Sequence, residues 1–392
     1  MSGPRSWLRH SAPPLRWRDE LLVERAEQLD RLRAELAEAQ TELDQARLRL
    51  RHRDEAPRSA GPASRRPSTS VPPASFYRRL GDLRRGTTEL RKLESHLRHP
   101  LARIPRKLRN YRLAASHGVS VPRVLAVWAE AEQIALDDMP ETFVLKSDQG
   151  AGGRGVLPLR RTGRDEFAEV AGTHTLSHEE VVEKLRHPSL APPYFAEELL
   201  VEPGGGELPE DVKLYMFYGE VGQVMLRRMR THADLGQARF RYMDQHGRDL
   251  GDVASGRPFD NTIATPERLG DYLDLARHLS RAIALPFVRV DLYETSSGPV
   301  FGELTRGPGG RQRYRPDHDR MLGELWDRAQ YRLDLDVTDG RPLRNLHGEH
   351  PAASLYPDVP GAPWAEPAGS EQFVPVPCRA WCQPDPPSTG PE

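Results

Sequence analysis

The segment that decides the fold is FVLKSDQGAGGRGVLPL, residues 143–159. Lys146 ends a short apolar run, a glycine-rich stretch follows, and a second apolar run resumes at Val156. Closely spaced glycines let backbone N–H groups surround an anion, and the lysine adds a positive charge beside them. The pattern therefore predicts a phosphate-binding loop between two strands, with a merely flexible hairpin turn as the alternative. The glycines of this loop are Gly150, Gly152, Gly153 and Gly155.

This loop differs from the two best-known phosphate loops. The Gly-Lys-Ser/Thr order and the following helix of a Walker A loop are missing, and no helix opens among the glycines as in a Rossmann fingerprint. Its lysine is also unusual in this chain, where 51 of the 56 basic residues are arginine. A lysine is a compact point charge that fits beside a phosphate where a guanidinium does not, so the few lysines are candidates for a binding site. The five are Lys92, Lys107, Lys146, Lys184 and Lys213.

A second segment, FVRVDLYETSSGPVFGELTRGPGG at 287–310, predicts a metal site. Arg289 and Asp291 alternate onto one face of a strand, and Glu303 and Thr305 onto one face of the next. A hairpin would bring the Asp291 and Glu303 carboxylates together, and two carboxylates facing phosphates form an oxygen site suited to Mg²⁺. The alternative is an internal salt bridge of Arg289 with one of these carboxylates.

A third segment, FAEELLVEP at 195–203, ends a predicted strand with two glutamates and is followed by a glycine-rich bend and Asp211. Backbone donors and acceptors beside carboxylates can bind an adenine edge and ribose hydroxyls. The alternative for Glu197 and Glu198 is a solvated strand end.

The middle of the chain alternates β-branched runs with helical stretches. The runs at 212–218 and 221–227, and those at 287–293 and 300–304, are spaced as antiparallel hairpins. Thr265-Pro266 is typical of a helix start, and apolar residues follow it at helical spacing up to Ile283. Helices on antiparallel sheets indicate an α+β core. The remaining predicted strands are 143–146, 156–159 and 195–201.

The flanks of this core have a different composition. Leucine recurs every seven residues from Leu15 to Leu50, which predicts a coiled coil that forms a homodimer or docks a partner, although half of its seam is polar. A segment rich in Pro and Ser follows, and then a basic helical region with twelve Arg/Lys against three Asp/Glu between residues 76 and 112. The predicted organisation is a tail and coiled coil at 1–55, a disordered linker at 56–75, a basic region at 76–120, a catalytic domain at 121–332 and a Pro-rich, largely disordered tail at 333–392.

Composition excludes several classes of protein. The 392 residues carry 56 basic and 57 acidic side chains, so a net charge of −1 gives no global attraction to nucleic acid. No apolar run is long enough for a membrane span and no secretory h-region opens the chain, so we expect a cytoplasmic protein. Cys378 and Cys382 lie in a Pro-rich tail with no histidine near them in the sequence, which argues against a zinc site or a disulfide framework, and we interpret them as free thiols.

The lysine with its glycine loop, the FAEELLVEP strip, DVKLYMFYGE and the R-V-D…G-E-L-T…P-G-G pattern together resemble the ATP-grasp ligases, over residues 105–330. They are most similar to the branch of the teichuronopeptide-biosynthesis (TupA-like) proteins. The resemblance implies an ATP-grasp fold, in which two α+β subdomains clasp ATP, with the coiled-coil helix in front of it. Thr305 stands where many members carry a metal-binding Asn.

The resemblance also implies a role for each site residue. Lys107 and Lys146 would contact the α- and β-phosphates. Glu197 and the Glu198–Leu200 backbone would bind adenine, and Asp211 or Glu202 the ribose. The remaining implied contacts are Asp291, Glu303 and Thr305 with Mg²⁺, Arg289 with the transferred phosphoryl group, and Lys213 and Arg228 with the γ-phosphate or the substrate carboxylate.

The function implied is an ATP- and Mg²⁺-dependent carboxylate–amine ligase that forms an amide or peptide bond through an acyl phosphate. Its substrates would be small molecules, peptides or glycans, in glycan, peptide or secondary-metabolite biosynthesis. The alternatives are phosphate transfer to a hydroxyl at the same site, or a coiled-coil scaffold that binds ATP without turnover.

Overall fold

The computed structural model describes residues 71–93, 99–150, 153–170, 172, 174–201, 209–229, 238–309, 312–362, 364, 378, 381 and 382. The predicted coiled coil at 1–55 and most of the predicted linker lie outside these residues. So do Gly152 and Glu202, two of the predicted site residues. Within the described part of the chain, none of the helices combines the length and the apolar character that crossing a bilayer requires.

A six-stranded antiparallel sheet carries the glycine loop. Its strands are β1 (Val124–Trp128), β2 (Thr142–Gln149), β3 (Val156–Arg161), β4 (Glu166–Glu169), β5 (Thr175–Ser177) and β6 (Ala191–Glu198). They lie in the order β1-β6-β2-β3-β4-β5. The glycine loop joins β2 directly to β3, with Lys146 opposite Val156, so the predicted strand–loop–strand arrangement is confirmed.

A five-stranded antiparallel sheet carries the predicted metal ligands. Its strands are β7 (Asp211–Phe217), β8 (Glu220–Arg228), β9 (Arg239–Met243), β10 (Val288–Thr295) and β11 (Gly298–Thr305). They lie in the order β11-β10-β7-β8-β9. Both predicted hairpins are confirmed, as β7–β8 and β10–β11. The turn between β7 and β8 consists of Tyr218 and Gly219, both with positive φ, as a tight two-residue hairpin requires.

Six helices of the described residues pack on these sheets: α1 (Phe76–Leu93), α2 (Pro100–Arg103), α3 (Lys107–Ser116), α4 (His178–Leu185), α5 (Leu269–Ala282) and α6 (Pro316–Thr338). α4 begins with a capping box, in which Ser177 and Glu180 bind each other's backbone N–H groups. The α+β class predicted from the sequence is confirmed.

The start of α5 differs from the prediction. The helix begins at Leu269 with Arg268 as its N-cap, three residues later than Thr265 as N-cap would place it. The Thr265 hydroxyl instead accepts a hydrogen bond from Arg241 at 3.1 Å. The predicted apolar face is buried: Tyr272 is 1% exposed and Ile283 is fully buried.

Two apolar cores lie on opposite faces of the five-stranded sheet. Helices α3 and α5 pack on one face, where alternate residues of β7 such as Leu214 are buried. On the other face α1 and α6 bring Phe76 and Trp326 against Phe287, whose ring stacks on the indole at 5.1 Å. A third core lies between the six-stranded sheet and α4.

The sequence predicted a domain boundary at 332 and a largely disordered tail after it. The described residues after 332 instead make ordered contacts with the core. Helix α6 continues to Thr338, and Arg341 is 1% exposed because its guanidinium donates to the Arg281 carbonyl at 2.7 Å. Further on, the Tyr356 hydroxyl donates to Asp148 at 3.0 Å. The interpretation of the cysteines as free thiols is wrong, since Cys378 and Cys382 are joined in a disulfide.

Candidate active site

Four charged side chains from neighbouring strands meet on one face of the five-stranded sheet. Lys213 on β7 donates to Asp211 at 3.1 Å and to Asp291 on β10 at 2.7 Å. Arg289 binds the same Asp291 carboxylate through two nitrogens, each at 2.6 Å. Asp211, Lys213 and Asp291 are all less than 10% exposed. Burying a charge is costly unless it is paired, so these ion pairs are what permits the cluster.

The pairing of Asp291 with Arg289 and Lys213 keeps Asp291 and Arg289 ionised. Burial alone would raise the pKa of Asp291, but the charges of Arg289 and Lys213 hold it below its usual range. Burial alone would likewise lower the pKa of Arg289, and the Asp291 charge raises it above its usual value. The salt bridge considered as the alternative for this segment is therefore present.

Glu303 lies directly opposite Asp291 in the β10–β11 ladder, as the hairpin predicted. Arg289 reaches Glu303 at 3.4 Å and the Thr305 hydroxyl at 3.2 Å, and that hydroxyl donates to Glu303 at 3.2 Å. The Asp291 side chain is 4% exposed and the Glu303 side chain 39%. One carboxylate is thus buried among cations and the other is open to solvent.

The donor set fits Mg²⁺. Asp291, Glu303 and Thr305 offer carboxylate and hydroxyl oxygens, which this hard cation prefers. Asp291 is shared by two cations, so a metal ion competes with them for the carboxylate. Phosphate groups that attract Lys213 and Arg289 would release Asp291 for the metal.

Lys146 lies on the face of β2 that is turned away from α4, in a buried ion pair with Glu197 on β6. The two residues are 5% and 2% exposed. The Tyr111 hydroxyl donates to Glu197 at 2.7 Å and accepts from Lys146 at 3.2 Å. The sequence interpretation put the lysine charge beside the glycines, but here its partner is a carboxylate of the neighbouring strand.

Tyr111 is a site residue that the sequence reasoning missed. Burial and the Glu197 charge raise the pKa of its hydroxyl, which therefore stays protonated and serves as a donor. A signal was present in the sequence, because Tyr111 follows Lys107 by four residues and so shares its helix face.

Lys107, the first residue of α3, connects the two sheets electrostatically. Its ammonium donates to the Ser147 carbonyl at 2.9 Å. Burial lowers the pKa of Lys107, while the charge of Glu303 on the other sheet raises it. Tyr293 on β10 shows the same proximity, since burial and then the charges of Asp211 and Glu197 raise its pKa. Charges on each sheet thus act on groups of the other, and a single site shared by the two sheets stays a prediction.

Asp148 holds α3 against β2. Its Oδ1 accepts the Leu108 N–H at 2.9 Å, in the first turn of α3, where backbone N–H groups otherwise lack partners. Its Oδ2 accepts from Arg106 at 3.2 Å and from Tyr356 at 3.0 Å. Asp148 is fully buried, and the sequence reasoning did not identify it.

The described glycines of the loop are required by close packing and by backbone conformation. A Cβ at Gly150 would lie 2.5 Å from the Arg154 carbonyl oxygen, and one at Gly155 would lie 2.7 Å from Leu190. Gly153 and Gly155 both have positive φ. The described positions of the loop thus leave little room for side chains, which suits a phosphate cradle and a hairpin turn equally.

Two of the residues predicted to bind adenine and ribose, Glu197 and Asp211, are already bound by other side chains of the protein. The Glu197 carboxylate is bound by Lys146 and Tyr111, as described above. Glu198 ends β6, and its backbone N–H donates to the Arg123 carbonyl at 3.0 Å. Leu200 lies beyond the strand end, and Asp211 is bound by both Lys213 and Arg227. The adenine and ribose contacts stay predictions.

Arg228 lies apart from the Lys213 cluster. Its Nε donates to Glu210 at 2.8 Å, and its side chain is 40% exposed. Of the three residues predicted to act on the γ-phosphate or the substrate, the structure brings together only Lys213 and Arg289.

A cavity of about 540 Å³ lies beside α3 and is lined by none of the predicted site residues. Its walls include Arg109 and Arg112 of α3 together with Arg344 and Tyr356 from the C-terminal segment. On a helix, positions 109 and 112 point away from positions 107 and 111. The cavity is therefore on the side of α3 opposite to Lys107 and Tyr111.

A hairpin with a lysine and a glycine loop in one antiparallel sheet, and an Arg-Asp/Glu site on a hairpin of a second sheet, define an ATP-grasp protein. The chain belongs to the TupA-like ATP-grasp family, whose model matches residues 88–327. The resemblance stated from the sequence is thereby confirmed. A comparison with curated protein sequences gives no match.

Several solved structures are similar to the chain, among them the following two. D-alanine–D-alanine ligase from Bacillus anthracis complexed with ATP is 13% identical, with a TM-score of 0.40 over 64% of this chain and 76% of that one. D-cycloserine synthetase DcsG is 15% identical, with a TM-score of 0.38 over 65% of this chain and 80% of that one. The family assignment depends on the family match rather than on these superpositions.

Proposed function

We propose that the chain is an ATP- and Mg²⁺-dependent ligase that joins a carboxylate to an amine through an acyl phosphate. The observation that carries the proposal is the pairing of Asp291 with Glu303 across β10–β11. Arg289 and Lys213 both bind the Asp291 carboxylate. This arrangement offers oxygen ligands for a cation and two positive groups for phosphates at one place. Membership of the TupA-like ATP-grasp family supports it.

The reaction needs no protein nucleophile. A carboxylate oxygen of the first substrate attacks the γ-phosphorus of ATP, the bond to the β-phosphate oxygen breaks, and ADP leaves. The nitrogen of the amine then attacks the acyl carbon, loses a proton, and inorganic phosphate departs. Bound Mg²⁺ would neutralise phosphate charge through Asp291, Glu303 and Thr305.

The contributions of the chain are positioning and electrostatic stabilisation. Arg289 and Lys213 are already paired with Asp291 in the structure, so their charges are in place before the nucleotide arrives. When it binds, they would release the Asp291 carboxylate and contact phosphate oxygens. Lys107 at the start of α3 and Lys146 on the six-stranded sheet would meet the other phosphates. Tyr111 fixes the position of Lys146 and Glu197, since its hydroxyl bonds to both.

The test is a screen of amino acids and other carboxylates for stimulated ADP release, with hydroxylamine as the amine. Hydroxylamine captures an acyl phosphate as a hydroxamate, so stoichiometric hydroxamate and ADP support a ligase. ADP release without hydroxamate would indicate phosphate transfer to a hydroxyl. ATP binding with no turnover of any substrate would indicate the scaffold.

Glu303→Gln is the matched variant for this screen. We expect it to reduce ADP release at least a hundredfold while the melting temperature stays near that of the parent, because Glu303 is partly exposed and its loss leaves no buried charge unpaired. Glu89→Gln, on the exposed part of α1, is the control and should react like the parent.

A further inference from the structure

The two cysteines near the C-terminus lie against the core and close to two histidines. Cys378 is 5% exposed and Cys382 is 1% exposed, and they pack with Ala282 and Leu346. The backbone N–H of Cys382 donates to the Cys378 carbonyl at 2.9 Å, and the two sulfurs are bonded to each other. Both side chains therefore face the same part of the core.

His117 and His278 come from two different helices. His117 follows the last residue of α3, and His278 lies on α5. The Nδ1 atom of His117 and the Nε2 atom of His278 are 3.0 Å apart. One ring nitrogen of each histidine and the Cys378 sulfur all lie within 4.8 Å of one another.

We propose that Cys378 and Cys382 in their reduced form, together with His117 and His278, bind a structural Zn²⁺ ion. Two thiolates and two imidazoles are a standard tetrahedral zinc set, and the three-residue spacing between the cysteines is within the usual range. Sulfur and nitrogen donors favour zinc over magnesium, which takes oxygen ligands. The site is therefore chemically distinct from the Asp291 and Glu303 pair.

The surroundings of His117 suit a metal ligand. Its Nε2 contacts the Leu346 carbonyl at 2.9 Å, so this nitrogen carries the proton and donates it. Metal-bound histidines are typically held in this way by a hydrogen bond from the other ring nitrogen. The lone pair of Nδ1 then accepts a hydrogen bond from Nε2 of His278 at 3.0 Å, and metal binding would use the other tautomer of His278, with its proton on Nδ1.

The disulfide of the structure is the oxidised form of the same cysteine pair. Two molecules of a low-molecular-weight thiol reduce it: they transfer two electrons and two protons, leave as one disulfide, and produce two cysteine thiols. Zn²⁺ then replaces the two thiol protons, which are released to solvent. A compartment that keeps thiols reduced favours the zinc form, and oxidation releases the metal.

The zinc ion would connect three parts of the chain: the end of α3, the middle of α5 and the turn at 378–382. The ten residues of α3 separate this site from Lys107 by about 15 Å. The inference does not depend on the proposed ligase reaction.

The experiment measures zinc bound to the full chain. The protein is reduced with a phosphine, incubated with zinc chloride, and dialysed against metal-free buffer, and its zinc content is determined by mass spectrometry. We expect one zinc per chain. Cys378→Ser, Cys382→Ser and His278→Ala should each lower the content at least fivefold, whereas His246→Ala, on an exposed loop, should not change it.

A second measurement separates loss of the site from loss of the fold. The parent chain with its disulfide formed by a mild oxidant keeps every side chain, and we expect it to bind no zinc while its circular dichroism is unchanged. Cobalt(II) bound to the reduced chain should show the visible absorption typical of tetrahedral thiolate coordination. Less than 0.2 zinc per reduced chain, or equal zinc in the reduced parent and the Cys378→Ser/Cys382→Ser variant, would overturn the proposal.

Discussion

Lys213 and Asp291 form a 2.7 Å ion pair across neighbouring strands, and both are almost fully buried. The Asp291 carboxylate, which we propose as a metal ligand, is thus already paired with a cation before any ligand arrives. Arg289 contributes a second cation to it. Metal binding and nucleotide binding should therefore depend on each other, because phosphates draw the cations away from the carboxylate.

The first prediction tests this competition. Lys213→Met should raise the affinity for Mg²⁺ in the absence of nucleotide by about tenfold, equivalent to about 1.4 kcal/mol, since Asp291 then has one cation instead of two. Calorimetric titration with MgCl₂ measures it. Lys213→Arg keeps the charge and is the control. Equal affinities in the Met variant and the parent would show that Lys213 does not compete with the metal.

The second prediction concerns Lys146 and Glu197. Lys146→Met should lower the free energy of unfolding by about 3–5 kcal/mol, because it leaves a buried carboxylate without its partner. Adding Glu197→Gln should restore most of this loss. Urea unfolding measures both, and Lys92→Met, which removes an exposed ion pair with Glu89, should cost less than about 1 kcal/mol. If the double variant is no more stable than Lys146→Met, the loss does not come from the unpaired Glu197 carboxylate.

The third prediction is a pH dependence of stability. Burial lowers the pKa of His318 from 6.5 to about 4, and this histidine contacts Gln223 at 2.7 Å. Above pH 6.5 its imidazole is neutral in both states. As the pH falls from 6.5 to 4 the unfolded chain binds the proton first, so the folded state loses up to about 3 kcal/mol.

His318→Gln should remove this contribution, and its unfolding free energy should fall less steeply than that of the parent between pH 6.5 and 4. Urea unfolding at four pH values measures the slope. His246→Gln, on an exposed loop, should follow the parent. Parallel slopes for His318→Gln and the parent would refute the assignment.

The fourth prediction concerns residues 1–55, whose coiled coil is predicted from the leucine heptads alone. Deleting them should lower the oligomeric state measured by light scattering and leave ATP affinity within about twofold of the parent, because the Pro- and Ser-rich segment at 56–75 separates them from the site. The same number of chains per particle before and after the deletion would reject the coiled-coil dimer.

The sequence was most informative where contacts are local. The spacing of the two runs predicts the β10–β11 hairpin, but an uninterrupted register would place Asp291 opposite Gly302, and a bulge between Asp291 and Leu292 is what brings Glu303 opposite Asp291. The order of lysine, glycines and strand likewise predicted the β2–β3 hairpin. These features depend on residues less than about twenty positions apart.

Contacts between distant segments could not be predicted. The partner of Lys146 is 51 residues away, and the histidines beside Cys378 are at least 100 residues away. Nothing in the spacing of residues indicates which strands become neighbours. The β6–β2 pairing decides the first contact, and the docking of the C-terminal turn on α5 decides the second.

Asp148 has a consequence for exchanging parts between related proteins. Its two oxygens connect the start of α3, Arg106 and Tyr356, which come from three separate stretches of the chain. A β2–β3 hairpin transplanted from a relative would therefore bring an aspartate without its partners, or partners without their aspartate. Recombination at this point should succeed only when residues 106–108 and 356 are inherited with the hairpin, as a single unit of exchange.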